Sequence, residues 1–238
     1  MTDNDKSNER ITLAHGYGGL VSHKLILEAF LPVFESPELA PLDDAAVLRL
    51  EHDQIAFSTD TFTVQPLFFP GGDIGKLSIA GTVNDVAVMG ARPMFISAGF
   101  IIEEGFLASD LAKIVKSMAD ECVKAQVRLV TGDTKVVPKG AADGMFINTT
   151  GIGVLRKDVY LSGSNAKVGQ AVILTGPAGD HGAAIVCARN DLGLEGDVVS
   201  DCRSLNDLID VLLDKLPGKI TVMRDPTRGG VATTLNEI

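Results

Sequence analysis

Four short acidic stretches stand out in the sequence: Asp43-Asp44-Ala45, Thr59-Asp60-Thr61, Asn84-Asp85 and Gly132-Asp133-Thr134. Three of them fall beside small residues at or just past the ends of apolar runs. The fourth, Asn84-Asp85, lies inside an otherwise apolar helical pattern, where Asp is a poor choice. Several carboxylates held together are costly to bury unless cations compensate them. Hard oxygen ligands of this kind suit Mg²⁺, which combines a few carboxylates with waters and substrate phosphates. Together the stretches point to a metal–nucleotide site. Taken one at a time, each Asp reads first as a helix cap or a turn closer; only the four together bring the metal–nucleotide reading level with that.

Other residues could hold or move charge at such a site. The glycines of His15-Gly16-Tyr17-Gly18-Gly19 could cradle phosphate through backbone N–H groups. No Gly-Lys-Ser/Thr follows them, so the loop is not a Walker A motif, and an ordinary mobile loop is the alternative. Lys135, directly after Asp133-Thr134, could neutralise a phosphoryl group or act as a base; a lone lysine also reads as solvated surface. Arg228 in Pro226-Thr227-Arg228-Gly229-Gly230 could hold an anion at the start of a helix, or merely belong to a capping turn. His15 and His181 flank glycines and read as surface histidines, with no second histidine nearby to complete a metal site.

The elements that must position these groups follow from periodicity. Ser22 can cap a helix whose apolar face repeats at Leu25, Ile26, Ala29, Phe30 and Val33. Segments 46–50 and 54–58 read as paired strands with a turn at 51–53. A helix opens near Asp73 and runs to about Met89, with Ile74, Leu77, Ala80, Val83 and Ala87 on one face, and Gly90 and Pro93 end it. Strands are expected at 95–102, at 128–131 running into Gly132-Asp133-Thr134-Lys135, and at 146–155. Between the first two lies a helix capped by Ser109 or Asp110 and ending near Ala125. Residues 156–170, rich in Gly, Ser and Asn, read as a linker. Beyond them come strands at 171–175 and 220–223, helices at 182–189 and 205–213, and a helix just opening at 230. The chain stops inside that helix, so a truncated second domain is expected. The organisation is therefore a tail at 1–10, a domain at 11–155, a linker at 156–170 and a partial domain at 171–238.

Composition removes several classes of function. With 21 Lys+Arg against 31 Asp+Glu the net charge is −10, the wrong sign for a nucleic-acid footprint. Apolar residues make up 45% and charged residues 22%, which excludes wholesale disorder. No apolar run approaches the roughly 18 residues of a membrane span. Cys122, Cys187 and Cys202 form no CxxC pair and read as core thiols. With no apolar leader in the first ten residues, they indicate a cytoplasmic protein.

Taken together, the motifs resemble the ATP-binding superfamily that includes aminoimidazole ribonucleotide synthetase, selenophosphate synthetase and thiamine-monophosphate kinase. Within it the sequence is most similar to the HypE family of nickel–iron hydrogenase maturation proteins. The likeness is carried by 13–19, 43–47, 59–61, 83–91, 131–136, Gly179-Asp180-His181-Gly182 and 224–230, and so spans residues 11–238. It implies an α+β, two-domain synthetase-like fold: an N-terminal mixed sheet with helices that dimerises, and a C-terminal α/β domain truncated here. It implies ATP near the dimer interface, bound by Gly16, Gly18, Gly19, Asp43, Asp44, Asp60, Thr61, Asn84, Asp85, Gly132, Asp133, Thr134 and Arg228. It implies Mg²⁺ on Asp44, Asp60, Asp85 and Asp133, with Lys135 and His15 as candidate catalytic residues.

The activity implied is ATP-dependent dehydration of a thiocarboxamide on a C-terminal cysteine to a thiocyanate, the source of cyanide for the iron centre. The partners implied are a second copy, a HypF-type carbamoyltransferase, and HypC- and HypD-type acceptors. Family members end in Pro-Arg-Ile-Cys, whereas this sequence ends in Asn236-Glu237-Ile238; as given it is expected to be inactive. Two other readings keep parts of this picture: a related small-molecule kinase or synthetase, and a non-catalytic maturation scaffold. Tyr17 and His15 stand where the selenophosphate branch carries a reactive Cys or selenocysteine, and Gly179-Asp180-His181-Gly182 speaks against the kinase branch.

Overall fold

The computed structural model describes residues 19–25, 27, 46–49, 54–189 and 197–238. The chain divides into two compact units, one of residues 1–42 and 226–238, the other of residues 43–225. Within the first, the described elements are α1 (Gly19–Leu25) and α6 (Gly230–Glu237). The remainder of the helix expected after Ser22 lies outside the described residues.

The second unit is built on a five-stranded mixed sheet of β1 (Ala46–Arg49), β2 (Gln54–Phe62), β5 (Ala91–Glu103), β6 (Arg128–Val137) and β7 (Met145–Leu155). The strand order is β1-β2-β7-β5-β6, with only β5 and β6 parallel. A two-stranded ribbon of β3 (Phe68–Phe69) and β4 (Gly72–Asp73) leads into α2 (Ile74–Val88). Then come α3 (Ala108–Lys124), a 3₁₀ turn at Gly163–Asn165, α4 (Asp180–Arg189) and α5 (Asn206–Lys215).

Asp73 starts α2: its carboxylate accepts from the N–H groups of Gly75 at 2.7 Å and Lys76 at 3.1 Å. The same oxygen accepts from Ser117 Oγ at 2.5 Å, tying that end of α2 to α3. The helix is buried on most of its circumference rather than on one face, because sheet, α3 and α5 surround it. Gly151 and Gly153 let α2 approach the sheet. A Cβ at Gly151 would lie 2.7 Å from the Thr82 methyl, and one at Gly153 2.5 Å from a Val86 methyl. In that contact Thr82 and Thr149 share a buried hydroxyl pair at 2.6 Å, and Thr149 also donates to the Ser78 carbonyl at 3.0 Å. The core proper joins Ile79 and Val83 of α2, Ile114 and Met118 of α3, and Ile96, Met145 and Ile147 of the sheet.

Several sequence expectations need correction. The strand expected at 95–102 begins at Ala91, soon after the helix: Pro93 pairs with Gly153 beside the register shift that skips Met94, a position next to a bulge that proline tolerates. Neither Ser109 nor Asp110 caps α3. Leu107 holds the cap position without a side-chain bond, and Asp110 sits in the first turn, where its charge suits the helix dipole. Gly132-Asp133-Thr134-Lys135 does not follow a strand but lies within β6, and Asp60 likewise lies inside β2. Residues 171–175 and 220–223 form no strand among the described residues. Val172 and Ile173 are 71% and 81% exposed, so a β-prone run without a partner backbone stays outside any ladder. The segment 156–170 packs Leu161 into a small core with Ala87, Val88, Ile209 and Leu213, and Arg156 pairs with Asp210 at 2.7 Å.

Candidate functional site

The seam between β2 and α2 brings two of the acidic stretches together. Strand alternation puts Ser58, Asp60 and Phe62 on the helix-covered face of the sheet. On α2, Gly81 and Asp85 are one turn apart and face that strand. Ser58 Oγ donates to Asp85 Oδ2 at 2.9 Å, and the main-chain N–H of Thr61 donates to Asp60 Oδ1 at 2.8 Å. Gly81 leaves clearance opposite Asp60: a Cβ there would stand 3.8 Å from Asp60 Oδ2 and 3.0 Å from the Phe62 ring. The two carboxylates are thus held by donors of the chain, half-buried, beside a position with no side chain.

Asp133 is elsewhere in the same unit. Cross-strand pairing aligns Thr61, Asn148, Gly99 and Asp133 in one row on the face opposite to the one carrying Asp60. Two strands lie between β2 and β6, so Asp133 is about 14 Å across the sheet from the β2 carboxylate. Lys135 follows on the same uncovered face, in the row of Phe146 and Ile101. Gly132 falls on the helix side, where a Cβ would meet the Ala98 carbonyl at 2.5 Å. Every residue of β6 before Val137 is exposed, and β6 is the edge of the sheet. Asn148 organises the neighbouring polar row, donating to Thr61 Oγ1 at 2.9 Å and to the Asp60 carbonyl at 3.0 Å.

Asn84 does not face the seam. Its amide binds the segment before α5, accepting from Leu205 N–H at 2.8 Å and donating to the Arg203 carbonyl at 3.0 Å. Gly19 and Arg228 belong to the other compact unit, Gly19 opening α1 and Arg228 preceding the left-handed Gly229 that caps α6. His15, Gly16, Gly18, Asp43 and Asp44 lie outside the described residues. Among the described residues, no three His, Cys, Asp or Glu side chains are grouped to hold a metal. Asp60 and Asp85 both lie on the β2–α2 seam, and Asp133 is not brought to them within one copy.

Ser58 and Gly81 were not singled out from the sequence. A glycine inside an apolar helical pattern, costing about 1 kcal/mol against Ala, was the available sign for Gly81. His181 also differs from its expected surface role. It is half-buried, its ring edge-on to Phe69 at 5.2 Å between centroids and its Nδ1 3.0 Å from Ser200 Oγ. Burial pulls its pKa down, and nearby Asp201 opposes that shift. Burial pushes the thiols up, Cys122 to about 11 and Cys202 to about 12, so both are protonated and sluggish near neutrality.

Residues 42–155 match the N-terminal domain of AIR synthase related proteins, and residues 167–238 match the C-terminal domain. The whole chain is 46% identical to a carbamoyl dehydratase HypE of Azotobacter vinelandii, covering 70% of that protein. It is 47% identical over 232 residues to the carbamoyl dehydratase HypE of Escherichia coli K12, covering 68% of its length. Among solved structures it is similar to HypE in a HypE–HypF complex, with TM-score 0.84 and 52% identity over 90% of this chain and 68% of that one. It is also similar to HypE in complex with ATP, with TM-score 0.75 and 51% identity over 96% of this chain and 68% of that one. A ThiL structure with AMPPCP and TMP, 15% identical at TM-score 0.66, shares the fold. No helix among the described residues is long and apolar enough to cross a membrane. By sequence over its whole length and by fold, the chain belongs to the HypE family of carbamoyl dehydratases.

Proposed function

We propose that this chain carries the ATP site of a carbamoyl dehydratase that converts a cysteine-borne thiocarboxamide into a thiocyanate for nickel–iron hydrogenase maturation. The observation that carries this reading is the β2–α2 seam, where Ser58 of the strand holds Asp85 of the helix and Gly81 of the helix lies opposite Asp60 of the strand. Two half-buried carboxylates on one seam are the hard oxygen ligands that suit a divalent cation. Mg²⁺ held there with Asp44 would neutralise charge on the ATP phosphates.

The chemistry asks little covalent work of the protein. The amide oxygen attacks the γ-phosphorus and ADP leaves; loss of both N–H protons then expels that oxygen as phosphate and leaves C≡N. The chain must position the phosphates and spread their charge. Ser58 and the Thr61 N–H hold the seam carboxylates in place. Lys135, on the uncovered face with Asp133, offers a cation for the transferring phosphoryl group or a base for the amide protons.

A homodimer supports the assignment of Asp133 and Lys135. The sheet face opposite the helices exposes Phe57 to 39% and Ile101 to 44%, in rows with Ile152, Phe95 and Phe146. An apolar sheet face of this kind suits a second copy. A HypF-type carbamoyltransferase is the partner that would load the cysteine, HypC- and HypD-type proteins are the acceptors, and the cytoplasm is the compartment.

The test uses the protein extended to the full length of its relatives and carbamoylated on its C-terminal cysteine. Mass spectrometry should find a loss of about 18 Da that requires Mg-ATP, as expected for an isolable carrier intermediate. Lys135→Ala should abolish that loss while ATP still binds. An unchanged peptide with ATP bound would favour the scaffold reading instead.

A further inference from the structure

Residues 199–205 run as a strap along α2, from the ribbon before its N-terminus to its second half. Ser200 N–H donates to the Pro70 carbonyl at 2.9 Å at one end. At the other end Asn84 takes two strap groups at once, the Leu205 N–H and the Arg203 carbonyl. Between them Ser204 donates through both its N–H and its hydroxyl to Glu121 of α3, at 2.9 and 2.8 Å. Glu121 is only 2% exposed, so the strap closes over a buried carboxylate.

Asn84 and Asp85 are consecutive on one helix and therefore point about 100° apart. Asn84 meets the strap, and Asp85 meets Ser58 of β2. A side chain that both accepts and donates is required at 84, because the strap presents one N–H and one carbonyl to it. The sequence placed Asn84 on the nucleotide; the geometry engages both ends of its amide with the chain itself.

We propose that Asn84 is a positioning residue: by clamping the strap it fixes the rotation of α2, and that rotation sets the Asp85 carboxylate against β2. The inference rests on the reading of Asp85 as a nucleotide-site carboxylate. It makes the strap and the nucleotide thermodynamically coupled, so each must stabilise the bound state of the other. Cys202, within the strap, reports its closure, since burial holds its thiol at about 12.

The experiment compares Cys202 labelling by a thiol reagent, followed by peptide mass mapping to separate it from Cys122 and Cys187, with Mg-ATP affinity by calorimetry. In the unsubstituted protein Mg-ATP should slow labelling. Asn84→Ala should speed labelling and weaken Mg-ATP binding, each about tenfold as for ordinary coupling energies, and should remove the protection by nucleotide. Asn84→Asp, which keeps size and acceptor but loses the donor, should fall between. Ser204→Ala, which loosens the strap from α3 but keeps the Asn84 clamp, should speed labelling and weaken Mg-ATP binding together, both less than Asn84→Ala does. Weaker Mg-ATP binding with unchanged labelling would make Asn84 a direct ligand and overturn the proposal. Faster labelling with unchanged affinity would overturn it as well. If the unsubstituted protein bound no Mg-ATP, the nucleotide reading itself would fall, a result distinct from both.

Discussion

Ser58 and Asp85 are joined by a 2.9 Å hydrogen bond that crosses from β2 to α2. That bond ties a carboxylate of the helix to the strand that also carries Asp60.

Ser58→Ala should therefore weaken Mg-ATP binding while leaving the fold intact. A hydrogen bond to a charged group contributes about 1.5–3 kcal/mol, so a loss of about tenfold or more in affinity is expected. Calorimetric titration checks this; an unchanged affinity would remove Asp85 from the nucleotide site.

Gly81→Val fills the clearance beside Asp60. The added methyl groups meet the Phe62 ring, 3.0 Å from the ideal Cβ. Nucleotide affinity should fall far more than thermal stability, measured by melting with and without Mg-ATP. Gly81→Ala, which gains about 1 kcal/mol of helix propensity, should show the same ordering in milder form.

Glu121→Ala removes the acceptor of both Ser204 donors from a buried position. Stranding such groups costs about 1–3 kcal/mol, and urea unfolding should show a loss of that size. Glu121→Gln, which keeps an acceptor oxygen, should lose less.

Acid should destabilise the protein partly through His181. Its folded pKa lies below the unfolded value because burial against Phe69 and Ser200 favours the neutral ring, although Asp201 pulls the other way. The unfolded chain then binds the proton more readily. Stability from the neutral ring is present above about pH 6.5 and is lost as pH falls through the lower folded value. Unfolding at about pH 7.5 and about pH 5.5 should show a larger loss for the unsubstituted protein than for His181→Gln. Parallel losses would show that the ring does not couple to folding.

The helix α3 and the strands β2, β5 and β7 were legible because their apolar periods match their burial; α2, buried nearly all round, and β6, exposed up to Val137, were legible only as apolar runs. Their ends were less so. Asp60 and Asp133 looked like residues past strand ends, yet hydrogen bonding to β7 and β5 carries both strands through them. The acidic residues could be named from sequence, but not the sheet face each would occupy. That depends on strand order and on the bulge between Ile96 and Ser97, which are tertiary facts. Asn84 was misleading for a similar reason: its partners lie more than a hundred residues away, at 203 and 205. His181 looked exposed beside its glycines because nothing local foretells Phe69 as its neighbour.

The hydroxyl pair of Thr82 and Thr149 also acts as a check on assembly. A slip of β7 by one residue would turn Asn148 or Thr150 inward and the buried Ile147 outward. A slip by two would set Ile147 or Gly151 against Thr82, leaving its hydroxyl and the Ser78 carbonyl without the partner that Thr149 supplies. Only one placement of the strand satisfies the helix, so misthreaded intermediates are rejected by a polar contact at the centre of an apolar core.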